Sequence, residues 1–157
     1  FLGNGTTVLE VARNLLGRKN LTVITNSLMV LNLMGDSPDI TLISLGGQLR
    51  RSELSMIGHI TEQALAELRA DKVIIGVHAI DAKHGLTGQY LPEAMTDRAI
   101  LKIGRKAIVV VDHTKFGRLA TAFLAPVNAI DLIVTDTGID PEIESALTSQ
   151  GARVMKA

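Results

Sequence analysis

Short aliphatic runs recur along the chain at Leu21–Thr25, Ile40–Leu45, Lys72–Val77, Ala107–Val111, Leu132–Thr135 and Arg153–Met155. They are rich in Val and Ile and continuous rather than alternating, the pattern of strands covered on both faces. Between them, apolar positions return every three or four residues. Thr7–Leu16 sets Val8, Val11, Ala12, Leu15 and Leu16 on one stripe, and Met56–Leu68 sets Ile57, Ile60, Ala64 and Leu68 on another. Those are the stripes of amphipathic helices. Leu28–Met34 predicts a third helix. Pro92–Gly104 and Pro141–Thr148 each open on proline, whose missing N–H costs nothing in a first helical turn. An Asp precedes the second of these as N-cap and Gly151 follows it as C-cap. Strand and helix alternate, which predicts an α/β fold with a mostly parallel sheet flanked by helices. The longest segment outside these patterns is His78–Leu91. It leaves the carboxyl end of a strand, where open α/β sheets bind ligands, and its glycines predict a loop that closes over one.

The chain has 157 residues, 46% of them apolar, enough for one domain with a core that needs no cross-links. Cysteine is absent, which excludes disulfides, thiolate nucleophiles, zinc ribbons and iron–sulfur clusters. Sixteen basic residues balance sixteen acidic ones, and there are three Phe, one Tyr and no Trp. A dedicated nucleic-acid-binding surface is normally basic and carries stacking aromatics, so that class is disfavoured. With no apolar run long enough to span a bilayer and no signal peptide, the expectation is a cytoplasmic protein without a membrane partner. The opening Phe1-Leu2-Gly3-Asn4-Gly5 reads as a strand running into a turn, with the expectation that sequence has been removed before it. The four histidines show no metal-ligand spacing. No serine sits in a nucleophile elbow, and no cofactor is expected.

Candidate chemistry gathers where strands end. Gly3-Asn4-Gly5-Thr6-Thr7 lies between a strand and a helix. Gly5 allows close approach of a ligand, the free N–H groups of the helix favour an anion, and Thr6 and Thr7 add hydroxyl donors. An ordinary turn with a Thr cap fits the same residues. It is neither a Walker A loop nor a dinucleotide fingerprint. Thr25-Asn26-Ser27 repeats the pattern before Leu28–Met34, as a helix cap or as a second set of donors for the same anion. Gly46-Gly47 ends a third strand and serves either a ligand or a plain turn. Val111-Asp112-His113-Thr114-Lys115 ends another, with Lys115 either a positive charge for a phosphate or a solvated side chain. Arg50-Arg51 reads as a solvated basic pair.

In order along the chain, Gly5-Thr6-Thr7, Thr25-Asn26-Ser27, Gly46-Gly47, Ala70-Asp71, Gly85-Leu86, Glu93-Ala94, Thr114-Lys115-Phe116-Gly117 and Asp131 with Thr135-Asp136 resemble the C-terminal effector domain of DeoR-family bacterial transcription regulators. The resemblance covers essentially the whole chain. It implies an absent N-terminal helix-turn-helix domain that reads operator DNA, and a homodimer or homotetramer. It also implies a fold similar to ribose-5-phosphate isomerase, glucosamine-6-phosphate deaminase and CoA transferases, and a phosphorylated sugar as effector. On that resemblance Asn4, Gly5, Thr6 and Thr7 match the phosphate loop, and Thr25, Asn26 and Ser27 match the second ligand loop. Asp81 falls where the isomerase has its acidic sugar-binding loop, and Lys115 where it has an active-site lysine. Gly46 and Gly47 join the expected ligand-binding set, with Asp81, Gln89, Tyr90 and Lys115 expected at the sugar end. Many family members carry Asp where this chain has Gly3.

The enzyme alternative is an active sugar-phosphate isomerase or deaminase. The isomerase places a Glu base on the helix before its lysine-bearing strand end, and Arg98 stands in the matching stretch Thr96-Asp97-Arg98-Ala99. Arginine stays charged and takes up no proton. Asp97 is offset by about 100° around the helix, so enzyme chemistry would need Glu93 or Asp97 as base. Arg98 is left to pair with the ligand's phosphate or with Glu93. A third alternative is an oligomerisation module with a relict pocket. The leading expectation is a sensor of a phosphorylated sugar that controls a repressor.

Overall fold

A computed structural model describes residues 1–157. The helices are α1 (Thr6–Leu15), α2 (Leu28–Met34), α3 (His59–Ala66), α4 (Leu91–Ile103) and α5 (Pro141–Ser149). The strands are β1 (Leu21–Thr25), β2 (Ile40–Ser44), β3 (Gln48–Arg50), β4 (Ser55–Ile57), β5 (Val73–Ile75), β6 (Ala79–Asp81), β7 (Gly85–Gly88), β8 (Ala107–Val110), β9 (Ala122–Ala125), β10 (Leu132–Thr135) and β11 (Val154–Lys156).

The six predicted strands form the parallel sheet. β1 pairs with β2, and β5, β8, β10 and β11 pair in that order, all parallel. The extended N-terminal residues join the two groups. Leu2 bridges Thr25 on one side and Ile74 on the other, and Gly3 N–H donates to Ile74 O at 2.9 Å. From this central stub the chain builds outward in one direction through β1 and β2, then returns to build the other side from β5. The stub is therefore the topological switch point, where a crevice opens at the carboxyl edge of a doubly wound sheet.

Alternate strand residues feed opposite cores, which is why the aliphatic runs are continuous. Val23, Ile74 and Val110 face the cluster made with Val8, Ala12, Val30 and Met34 of α1 and α2. Ile24, Ile75, Val109 and Ile133 face the larger cluster with Leu65 of α3, Ile100 and Ile103 of α4 and Leu147 of α5.

Three expectations change. The helix expected from Met56 begins at His59, because Met56 belongs to β4, which pairs antiparallel with β3, and Gly58 starts the helix at φ 88°. The segment His78–Leu91 is not an open loop. β6 and β7 form a hairpin, β9 adds a third antiparallel strand, and Ile80 and Leu86 are fully buried. A closing lid is thus replaced by a pinned wall. Lastly, β9 and the β3–β4 hairpin are strands that no periodicity announced, being only three or four residues long.

Candidate functional site

A cavity of about 440 Å³ opens at the switch point, a size that suits a small metabolite. Strand ends supply its floor: Asn4 after the stub, Gly76-Val77-His78 after β5, and Val110-Val111-Asp112 at the end of β8. The first turn of α1, the β3–β4 turn Ser52–Leu54, Thr87 and Gly88 of β7, Glu93 and Asp97 of α4, and Lys115 complete it.

The α1 end leaves its backbone donors free. Gly5 is its N-cap at φ 106°, a conformation that side chains resist, and no side chain caps the helix. The first intrahelical bond runs from Leu9 N–H to Gly5 O at 3.0 Å, so the N–H groups of Thr6, Thr7 and Val8 find no partner in the chain. No acidic side chain occupies the first turn, and the positive end of the helix dipole is left open. Lys115 reaches the same cavity from the short 3-10 turn His113–Lys115, which Asp112 starts by accepting from Thr114 N–H at 2.9 Å. The bonds from Thr114 hold the Asp112 carboxyl below its ordinary value, against opposing burial.

The α4 wall is acidic. Glu93 is only 5% exposed and forms an ion pair with Arg50 of β3. It also accepts from Asn4 Nδ2 at 3.2 Å and lies 3.7 Å from His78 Nε2. Arg50 is further fixed by Ser52 Oγ at 3.1 Å and by the Tyr90 ring, 4.9 Å from its centroid. Asp97 lies one turn beyond Glu93. It is half-buried and lines the cavity. Burial pushes its carboxyl up to about 7, partly opposed by Arg50. Burial also lowers His78, with Glu53 pulling it up and Arg50 and Lys115 pushing it down.

Of the residues selected from sequence, Asn4, Gly5, Thr6, Thr7 and Lys115 come together in the cavity. The others lie outside its lining. Thr25, Asn26 and Ser27 are buried and bonded within the fold: Asn26 Nδ2 donates to Met56 O at 2.9 Å, and Ser27 Oγ caps α2 by accepting from Val30 N–H. Gly46 O accepts from Thr61 Oγ1 at 2.8 Å, and a Cβ on Gly47 would meet that hydroxyl at 2.1 Å. Those two glycines make room for α3. Asp81 accepts from the N–H groups of Lys83 and His84 and so closes the β6–β7 turn. Gln89 is exposed, and Tyr90 packs under Arg50 on the outer surface. Arg98 is not among the residues lining the cavity, its Nε is buried and unpartnered, and Glu93 pairs with Arg50 instead.

The cavity also takes Glu53, His78 and Asp112, which sequence reasoning did not select as site residues, and Glu93 and Asp97, which it named only as bases for the enzyme alternative. Arg50 is no solvated cation, its side chain being only 16% exposed. One signal was available: Glu93 and Asp97 are four apart on a predicted helix and share a face. At Gly3, a Cβ would press on Ile75 Cγ2 at 3.1 Å, so the place where many family members carry Asp is tightly packed here.

With this geometry in view, known proteins can be compared. Residues 1–137 match the model of the DeoR C terminal sensor domain. The chain is 34% identical over 148 residues to the glycerol-3-phosphate regulon repressor of Escherichia coli, covering 94% of this chain and 59% of that protein. It is 34% identical over 146 residues to the transcriptional repressor AccR of Agrobacterium fabrum, covering 92% and 57%. It is 32% identical over 136 residues to the HTH-type transcriptional repressor GlcR of Bacillus subtilis, covering 87% and 52%. The chain thus spans 59% or less of the length of these three curated relatives. All three relatives are repressors.

Proposed function

The chain belongs to the DeoR C-terminal sensor domain family, and on that premise we propose that it is the effector-binding part of a transcriptional repressor whose effector is a phosphorylated sugar. Operator DNA is contacted through a helix-turn-helix domain outside this chain, and the assembly is a homodimer or homotetramer. The neutral charge balance and scarcity of aromatics fit a part that does not itself hold DNA. No helix is long and apolar enough to cross a membrane, which suits a regulator working beside cytoplasmic DNA.

One observation carries the reading. The uncapped first turn of α1 opens into a metabolite-sized cavity beside Lys115. Free N–H groups, two hydroxyls and an ammonium offer a phosphate charge-assisted hydrogen bonds in one place. The name of the Escherichia coli relative, a glycerol-3-phosphate regulon repressor, points to the same chemical class. Glu93, one of the two carboxyls an isomerase or deaminase would need as base, is held by Arg50 and Asn4 and is not free to shuttle protons. Binding alters repression only through preference for one conformer of the assembly.

Thermal melting against sugar phosphates and their unphosphorylated parents tests the proposal. A ligand present at a hundredfold excess over its Kd stabilises the chain by about 2.7 kcal/mol. The expected result is a rise in Tm with a phosphorylated sugar and none with its parent. No rise across the panel, or equal rises with both forms, overturns it.

A further inference from the structure

Several of the polar groups lining the cavity are held by partners within the chain. Asn4 donates to Glu93, and Glu93 is paired with Arg50. Thr87 Oγ1 accepts from Ala120 N–H at 2.9 Å, and Asp112 accepts from Thr114. Asp97 differs. It lines the same cavity from α4, is half-buried, and no hydrogen bond or ion pair within the chain reaches its carboxyl, whereas Glu53, the other unpartnered carboxyl of the lining, sits between exposed Ser52 and Leu54 on the β3–β4 turn. Arg50, the cation that acts on it, is already committed to Glu93. A half-buried carboxyl that no donor of the chain reaches is free to accept one from a ligand, and gains most where the ligand displaces the remaining water. The donor is not the phosphate, which is itself an anion and has the α1 N-terminus and Lys115 for partners. Asp97 therefore meets a different part of the ligand.

We propose that Asp97 is a specificity-determining residue that accepts a hydrogen bond from an O–H or N–H donor on the non-phosphorylated end of the effector. This rests on the reading that the cavity takes a phosphorylated sugar. Phosphate recognition and sugar recognition are then divided between two walls: α1 with Lys115 holds the phosphate, and Asp97 on α4 reads the rest. A site built to bond a donor rejects an analogue that lacks it, because the acceptor is left unpaired. A hydroxyl and an ammonium are the two sources of such a donor.

Isothermal titration of the wild-type chain, Asp97→Asn, Asp97→Leu and Lys115→Ala separates the walls. The probes are inorganic phosphate, glycerol-3-phosphate, glucose 6-phosphate, fructose 6-phosphate and glucosamine 6-phosphate. In the wild type, the tightest organic phosphate is expected to exceed inorganic phosphate by about tenfold or more, the scale of one hydrogen bond to a charged group. Asp97→Leu removes that advantage and leaves inorganic phosphate unchanged. Lys115→Ala weakens every probe. Preference for glucosamine 6-phosphate over glucose 6-phosphate assigns the donor as ammonium, and the reverse assigns it as hydroxyl. If Asp97→Leu fails to fold, Asp97→Asn carries the test, losing part of the advantage with the charge. An advantage that survives in the folded Asp97 variants overturns the proposal. Organic phosphates that bind no better than inorganic phosphate also overturn it, while the phosphate cradle stands. If no probe binds at all, the sugar-phosphate reading falls as well.

Discussion

Gly3-Asn4-Gly5-Thr6-Thr7 and Thr25-Asn26-Ser27 are the same kind of sequence, small polar residues between a strand end and a helix, yet they do opposite work. The first leaves its helix uncapped and opens into the cavity. The second is closed. Thr25 Oγ1 accepts from Ser27 N–H at 3.1 Å, Ser27 Oγ caps α2, and Asn26 holds β4 through both its side chain and its carbonyl. Asn26 is 2% exposed and Ser27 is fully buried. What separates them is the β3–β4 hairpin, which covers the second loop and leaves the first free. A helix N-terminus is available to a ligand only if its donors stay unspent. The second loop still serves the cavity at one remove, because the hairpin it anchors carries Ser52, Glu53 and Leu54 to the rim.

The comparison can be broken by substitution. The largest effect is expected at Asn26→Ala, which strips a buried partner from Met56 O and should cost about 2–3 kcal/mol in denaturant unfolding. A cost near zero would mean that the second loop does not hold the hairpin. Next is Lys115→Ala, expected to weaken phosphate-bearing ligands by about tenfold, or about 1.4 kcal/mol, with unfolding unchanged. Unaltered affinity would remove Lys115 from the site. Ser27→Ala should cost about 1 kcal/mol of stability as the loss of a helix cap. Ligand affinity should be unaffected, and a drop in affinity at full stability would return the second loop to the site. The smallest effect is a change of slope with pH in the empty chain. The Asp97 carboxyl is raised from 3.8 to about 7 on folding, chiefly by burial. Its proton therefore favours the folded state at low pH, and that contribution is lost as pH rises from roughly 4 through about 7. Asp97→Asn has no such proton, so its gain in Tm over wild type should be greater near pH 8 than near pH 5. Equal gains at both would show that folding does not raise the Asp97 carboxyl.

Much of the fold was legible. The six parallel strands follow from continuous Val- and Ile-rich runs, since a strand sandwiched between two cores has no polar face to show. Each of the five helices was visible in its spacing or its proline. The antiparallel elements were not. β3, β4, β6, β7 and β9 are three or four residues long, too short for a period to register, and what makes them strands is a partner distant in sequence, as when Leu86 meets Ala125. The α1 end of the cavity was legible because a glycine turn and a helix start are local features. The acidic wall was not, because Arg50 and Glu93 are 43 positions apart and each alone reads as a surface charge.

The sequence by itself determined the parallel α/β architecture, the polar turns at strand ends and the charge neutrality of the domain, all of which depend on near neighbours and on composition. Only the tertiary structure decided which turn stays open. It also decided that Arg50 is spent on Glu93, and that Asp97 rather than Arg98 faces the cavity. Those outcomes depend on how elements far apart in sequence pack together, because burial and the pairing of charges are properties of the assembled core and not of any one segment.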